Sequence, residues 1–289
     1  LTDADWFNDI NDFVYEVCGN ATDPPANVTE LLSNIGANAF PRMHISGLTY
    51  SNSGGDPTND IDIAIGEAKD STNAVNISLA ASITKRLDAT WAVGTNQGGL
   101  DTGSIGNSDY YIWLIKRSDT SVVDVLFSLS STAPTMPTNY NYKRLIGWFK
   151  RVAAAIVLFT TYETGGGEIE LLWSVPTLDV NLANTLTTAR RTDAVKVPLN
   201  FSTTAHINVD LLDAAASIVV WIYCPDQTDA APSLTVGQLN NFAAAANTDV
   251  SGQIFVRTSS AGLIAARATV ATVDFYGVST IGFTWARRN

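Results

Sequence analysis

The sequence predicts a mainly β protein: an antiparallel β-sandwich or jelly roll preceded by a short N-terminal helical segment. Three observations lead there. From Pro41 onward, apolar residues recur at period two in short runs. Turns rich in Asn, Gly, Asp, Pro and Thr separate the runs. No long helical pattern interrupts them, and about fourteen short strands without long helices suit a sandwich. With 289 residues, 46% apolar and only 16% charged, the chain has ample material for a core and is too apolar for disorder. We read residues 1–40 as a helical attachment or linker segment and 41–289 as the β-domain. A subdivision near Gly165 is the alternative.

The first element is a helix over residues 4–17. Trp6, Phe7, Ile10, Phe13, Val14 and Val17 fall on one apolar stripe, Thr2 and Asp5 have capping-box spacing, and Gly19 is a C-terminal stop. A shorter helix is expected over 28–34, capped by Asn27 and Glu30 and ended by Gly36. Asp23-Pro24-Pro25 stiffens the link between them. The stripe packs either on the chain's own β-domain or against symmetry mates or another protein. Left in water, its six side chains would forfeit on the order of 10 kcal/mol, so something must cover it.

Alternation then runs through 43–50, and Ile61, Ile63 and Ile65 share a strand face. Val75, Ile77 and Leu79 share the next. The polar stretch 94–109, rich in Gly, Asn and Thr, reads as an ordered surface loop. A hairpin pairs 110–116 with 122–129 about a turn at 118–121. Both of its strands are apolar at nearly every position, so both faces need covering, by a second sheet or a neighbouring subunit. Further strands are expected at 143–150, 153–161, 169–175, 195–199, 205–209, 217–224, 253–258, 263–268 and 279–286, with one helical turn at 243–246.

Net charge is −11, and seven of the 28 acidic residues precede the first basic one, Arg42. Basic residues occur in nothing larger than pairs such as Lys85-Arg86, which argues against nucleic acid and against an anionic membrane surface. No run approaches the roughly 18 apolar residues of a membrane span. Neither Met nor a signal peptide opens the chain, which therefore reads as trimmed or as a piece of a longer protein. Cys18 and Cys224 fit no metal spacing and read as buried thiols rather than a disulfide.

The chemical inventory is thin, and we expect no enzyme, cofactor or metal. His44 and His206 sit among apolar or small residues on strands and read as hydrogen-bonded structural histidines. No nucleophile elbow, phosphate loop or Rossmann fingerprint is present. Glu168 and Glu170 would share one strand face roughly 7 Å apart. They are the one pair to nominate for a polysaccharide-degrading enzyme, which needs carboxylates about 5–9 Å apart. The acidic run at 56–62 lacks the register of a calcium loop. Trp91, Tyr140 and Tyr142, in or beside polar loops, are the aromatic candidates for stacking on a sugar; closing a barrel mouth or sealing a subunit contact is the plainer role.

Residues 56–151 contain DPTNDIDIA, the DSTN turn, TKRLDATWAVGTNQGGLDTG, the YIWLIKRSDTSVVDVLFS hairpin and TAPTMPTNYNYKRLIG. This middle third resembles a module recurring in bacteriophage structural proteins of tail-fibre or head-fibre type. The resemblance implies a virion location, a fibre-type attachment role and a homo-oligomer, a trimer by preference. Within that setting the N-terminal stripe suits other virion proteins as partners, and the loop aromatics suit a host surface glycan as a ligand; the resemblance identifies no receptor-contacting residue. A capsid decoration or cement protein is the runner-up; a carbohydrate-binding or polysaccharide-degrading protein is the reading from another class.

Overall fold

A computed structural model describes residues 41–229, 231 and 240–287. Among them the chain is mainly β and contains no helix. The expected helices at 4–17 and 28–34 lie outside the described residues, as do Trp6, Phe7, Ile10, Phe13, Val14, Val17 and Cys18. Cys224 is a half-buried free thiol.

The first strands are β1 (Ile45–Gly47), β2 (Tyr50–Asn52), β3 (Asp60–Ile63), β4 (Gly66–Lys69) and β5 (Asn76–Leu79). Then come β6 (Ile83–Thr90), β7 (Gln97–Leu100), β8 (Asp109–Arg117), β9 (Val123–Ser128), β10 (Tyr140–Val152) and β11 (Ala155–Ile156). They build a three-stranded sheet, β1-β4-β5, and an eight-stranded one, β11-β10-β8-β9-β7-β6-β3-β2. The chain continues with β12 (Phe159–Gly165), β13 (Glu168–Leu186), β14 (Arg191–Ala194), β15 (Thr204–Leu212) and β16 (Ile218–Tyr223). Last are β17 (Asn240–Ala244), β18 (Val250–Arg257), β19 (Leu263–Ala268) and β20 (Val273–Ala286). These form a five-stranded sheet, β12-β13-β20-β15-β18, and a four-stranded sheet, β14-β19-β16-β17. The arrangement is consistent with a β-sandwich. Pairing is antiparallel except where β7 lies parallel to β6 and β9.

The β8–β9 hairpin forms in the expected register, with Tyr111 opposite Ser128 and Lys116 opposite Val123. Both of its faces are covered within one chain. On one, Tyr110 stacks on Phe149, whose ring meets Phe127 edge-on. On the other, Tyr111 meets Phe201 edge-on and donates its hydroxyl to the Leu199 carbonyl. The two-faced hairpin therefore needs no neighbouring subunit. On that second face Trp148 of β10 packs against Trp173 of β13 and Phe283 of β20.

Four local readings change. The stretch 94–109 is not all surface loop, because β7 runs through it with Gly98 and Gly99 buried. Those glycines serve close approach: a Cβ on Gly98 would lie 2.0 Å from the Thr90 carbonyl, and one on Gly99 would lie 2.7 Å from the Phe127 ring. The expected strand at 195–199 joins no ladder; Val195 and Val197 are buried there in a tight turn, the Val197 N–H bonding the Val195 carbonyl. The alanine run at 243–246 enters β17 instead of a helical turn, since β16 offers it a ladder. The strand expected to end at 175 continues past Pro176 to Leu186, with an irregularity between Leu172 and Thr177 that accommodates the proline.

A bulge in β10 between Leu145 and Gly147 makes room for a second device. The Tyr50 ring lies against Gly147, where a Cβ would be 2.5 Å away, and its hydroxyl accepts the Trp148 N–H. Burial pushes the Tyr50 hydroxyl far above its ordinary pKa, so it stays neutral. The Tyr50 backbone is held in turn by Thr161 of β12, whose hydroxyl accepts the Tyr50 N–H and donates to the Tyr50 carbonyl. Tyr50→Phe keeps the ring and orphans a buried N–H, so urea unfolding should show a loss of about 1–3 kcal/mol. Unchanged stability would mean that Trp148 finds another acceptor.

Candidate functional site

Strand register places a polar row on one face of the five-stranded sheet. Glu170 of β13 pairs with Thr284 of β20, Thr284 with Thr204 of β15, and Thr204 with Arg257 of β18. Period two puts their neighbours Leu171, Phe283, Ala205 and Val256 on the opposite face, where all are buried. One row on, His206 stands opposite Gly282 and Phe255. Gly282 has no side chain, so the imidazole reaches over β20 to groups on both flanking positions. Its Nε2 is 2.7 Å from Thr284 Oγ1 and its Nδ1 is 3.2 Å from Glu170 Oε1.

His206 is only 4% exposed, with Phe255 packed edge-on at 4.6 Å. Burial lowers its pKa, and the Glu170 carboxylate opposes that only in part. The imidazole is therefore neutral at neutral pH. Its partners then assign the tautomer: Nδ1–H donates to Glu170 and Nε2 accepts the Thr284 hydroxyl. Beside Thr284 opens a cavity of about 310 Å³ bordered also by Glu168, Phe201, Ser202, Thr204 and Arg257. Arg257 is exposed and makes no ion pair among the described residues.

Hydroxyl, imidazole and carboxylate stand in the order of an activated nucleophile with its base and orienting group. Acyl transfer also needs donors converging on a developing oxyanion. Here the backbone around Thr284 is laddered to β13 on one side and β15 on the other. Arg257, Ser202, Thr204 and Thr284 border one cavity and offer it hydrogen-bond donors and acceptors for a polar ligand. Glu168 and Glu170, nominated from sequence, are separately engaged: Glu168 accepts the Thr164 hydroxyl at 3.0 Å, and Glu170 holds His206.

The aromatic candidates sit elsewhere, at β10 and the loop after β6. Trp91 and Tyr140 pack edge-on at 5.1 Å, and the Trp91 indole N–H donates to the Val125 carbonyl. Tyr140 is 3% exposed and presents no face to a ligand; Trp91 and Tyr142 are half-buried. His44 faces Glu67 at 3.3 Å. Asp56 caps its own turn, accepting the Thr58 hydroxyl and N–H and the Asn59 amide. No group of three or more metal-ligating side chains occurs among the described residues.

No family model matches this chain, and no curated protein matches it. Among solved structures, the coat protein of Tobacco streak virus aligns with 41% of this chain and 89% of its own, at 8% identity and a TM-score of 0.22. A superposition at that score carries no argument.

A histidine held neutral by burial makes stability depend on pH. The unfolded chain takes up a proton near the ordinary value of 6.5 that folded His206 refuses. The stabilisation is complete above that value and is lost as pH falls towards the lower folded value. Urea midpoints measured from neutral pH to about pH 5 should fall more steeply for the natural chain than for His206→Gln. Parallel curves would show that the imidazole charges freely in the folded state.

Proposed function

We propose that this chain is a non-enzymatic structural protein of a bacteriophage virion, a surface-exposed fibre-type appendage that takes part in host attachment. The observation that carries the reading is how residues 56–151, the segment with the phage resemblance, use their loop carboxylates. Asp56, Asp70, Asp101 and Asp119 each accept backbone or side-chain donors of their own turns. Asp119 also takes the Arg117 guanidinium, and Asp101 the Thr135 N–H. Turns closed in this way are fixed before any ligand arrives, which favours recognition by lowering its ordering cost. A surface of Thr, Ser and Asn offers hydroxyl and amide groups suited to sugar hydroxyls. A host surface glycan is the ligand class we favour.

A capsid decoration or cement protein shares every one of these features. Mass spectrometry of purified particles should find the chain, and its absence from virions would end both readings. Particle imaging then separates them: decoration spreads copies across the capsid lattice, whereas a fibre extends from a vertex or the tail.

We further propose a homo-oligomer, a trimer by the resemblance, assembled with other virion proteins through residues 1–40. With the β8–β9 hairpin covered internally, this rests on the stripe Trp6, Phe7, Ile10, Phe13, Val14 and Val17 alone. Sedimentation should give a multiple of the 30.9 kDa chain mass. Trp6→Asp should reduce it. A monomer whose stability ignores that substitution would show the stripe plays no part in assembly.

A further inference from the structure

Lys85 of β6 and Asp124 of β9 are the most deeply buried opposite charges among the described residues. Both side chains are 0% exposed, with Nζ 3.2 Å from Oδ1. Strand β7 lies between their strands, and the lysine crosses it at Gly99, where a Cβ would be 3.2 Å from Lys85 Cβ. The Trp91 ring caps the ammonium at 5.4 Å. Against Trp91 lies Tyr140, whose hydroxyl is buried without a hydrogen-bond partner and within electrostatic reach of Asp124. Two charges taken out of water are costly to keep there, whereas the amide they can form carries none.

We propose that Lys85 and Asp124 condense to an intramolecular amide that covalently joins β6 to β9 across β7. The ammonium first gives a proton to the carboxylate, leaving a neutral amine beside a neutral acid. Burial acts on the lysine in the required direction, desolvation being the largest influence on Lys85 and lowering its pKa. The Nζ lone pair then attacks Cγ. The Nζ–Cγ bond forms, the Cγ–Oδ1 bond breaks, and Oδ1 departs as water carrying two protons that began on nitrogen. Nothing is oxidised or reduced, and no co-reactant is required.

The surroundings are arranged for both the adduct and the product. The Gly94 N–H lies 2.7 Å from Oδ2, where negative charge develops in the tetrahedral adduct. Oδ1 is held by the Val125 N–H. Afterwards the amide carbonyl keeps the Gly94 donor. Nζ now donates to the Ala92 carbonyl at 2.6 Å and to the Gly94 carbonyl at 3.2 Å, and the single amide N–H keeps the nearer of the two.

Intact-mass spectrometry of the folded full chain tests this directly, after incubation at neutral pH until the mass is constant. The expected mass is that of the sequence less one water. Proteolysis with fragmentation should then yield a branched peptide joining Lys85 to Asp124. Lys85→Arg and Asp124→Ala should each restore the full mass. Full sequence mass in a chain shown to be folded by cooperative urea unfolding would overturn the proposal. So would a water loss mapped elsewhere, as to a succinimide at another Asp or Asn.

Discussion

One buried guanidinium ties together parts of the chain that sequence keeps farthest apart. Arg287, just past the end of β20, is 0% exposed. Its Nε donates to the Gly167 carbonyl, its Nη1 to Leu48 and its Nη2 to Gly47, at 3.0–3.1 Å. The acceptors belong to the β12–β13 turn and to the corner between β1 and β2. Gly47 and Leu48 both have positive φ, 63° and 56°, so the corner is left-handed at a buried leucine, a geometry that costs roughly 1–2 kcal/mol. The guanidinium offsets that cost by taking both corner carbonyls. Burial pushes Arg287 down to about 10, which leaves it charged at neutral pH. Its own carbonyl accepts the Arg144 guanidinium at 2.6 Å, so β10 is fastened to the same point.

The rest of the architecture depends on that corner being where it is. It delivers β2, an edge of the eight-stranded sheet, alongside β12, an edge of the five-stranded one. Unpaired edges invite pairing with other chains. Here side chains bridge the two edges: Thr161 serves both backbone groups of Tyr50, and the Asn52 side chain accepts the Phe159 N–H. Glu163, farther along β12, accepts the Gly47 N–H with both oxygens. The aromatic layer of Tyr50, Phe159, Trp148, Trp173 and Phe283 lies beneath this seam.

Period-two patterning is legible where a strand buries one face only, as in β3, β5 and β6. It fails where glycine means proximity and not freedom. Gly98 and Gly99 read as loop residues, yet each is there because a neighbouring strand or ring occupies the space of a side chain. Lys85 is the reverse case. Beside Arg86 it looks like half of a basic surface pair, but alternation puts it on the face of Ile83 and Leu87, both buried. The relay of Glu170, His206 and Thr284 was beyond sequence reading for a different reason. Its members come from β13, β15 and β20, and they meet only because β20 is inserted between the other two, an order that periodicity does not encode. His206 was legible as a hydrogen-bonded strand histidine, but its partners were not.

The low charge content acquires a physical meaning from where the charges go. Lys85, Asp124, Arg144 and Arg287 are fully buried, and much of their hydrogen bonding is to backbone groups. Asp179 follows the same rule, accepting the Lys196 N–H and the Thr280 hydroxyl, with burial raising its pKa. A carbonyl at a sheet corner or bulge has lost its ladder partner, and leaving it bare costs about 1–3 kcal/mol. A long cationic side chain reaches several such carbonyls at once, where a hydroxyl reaches one or two. Only a minority of the charged residues is buried in this way; the rest share the surface with Thr, Ser and Asn.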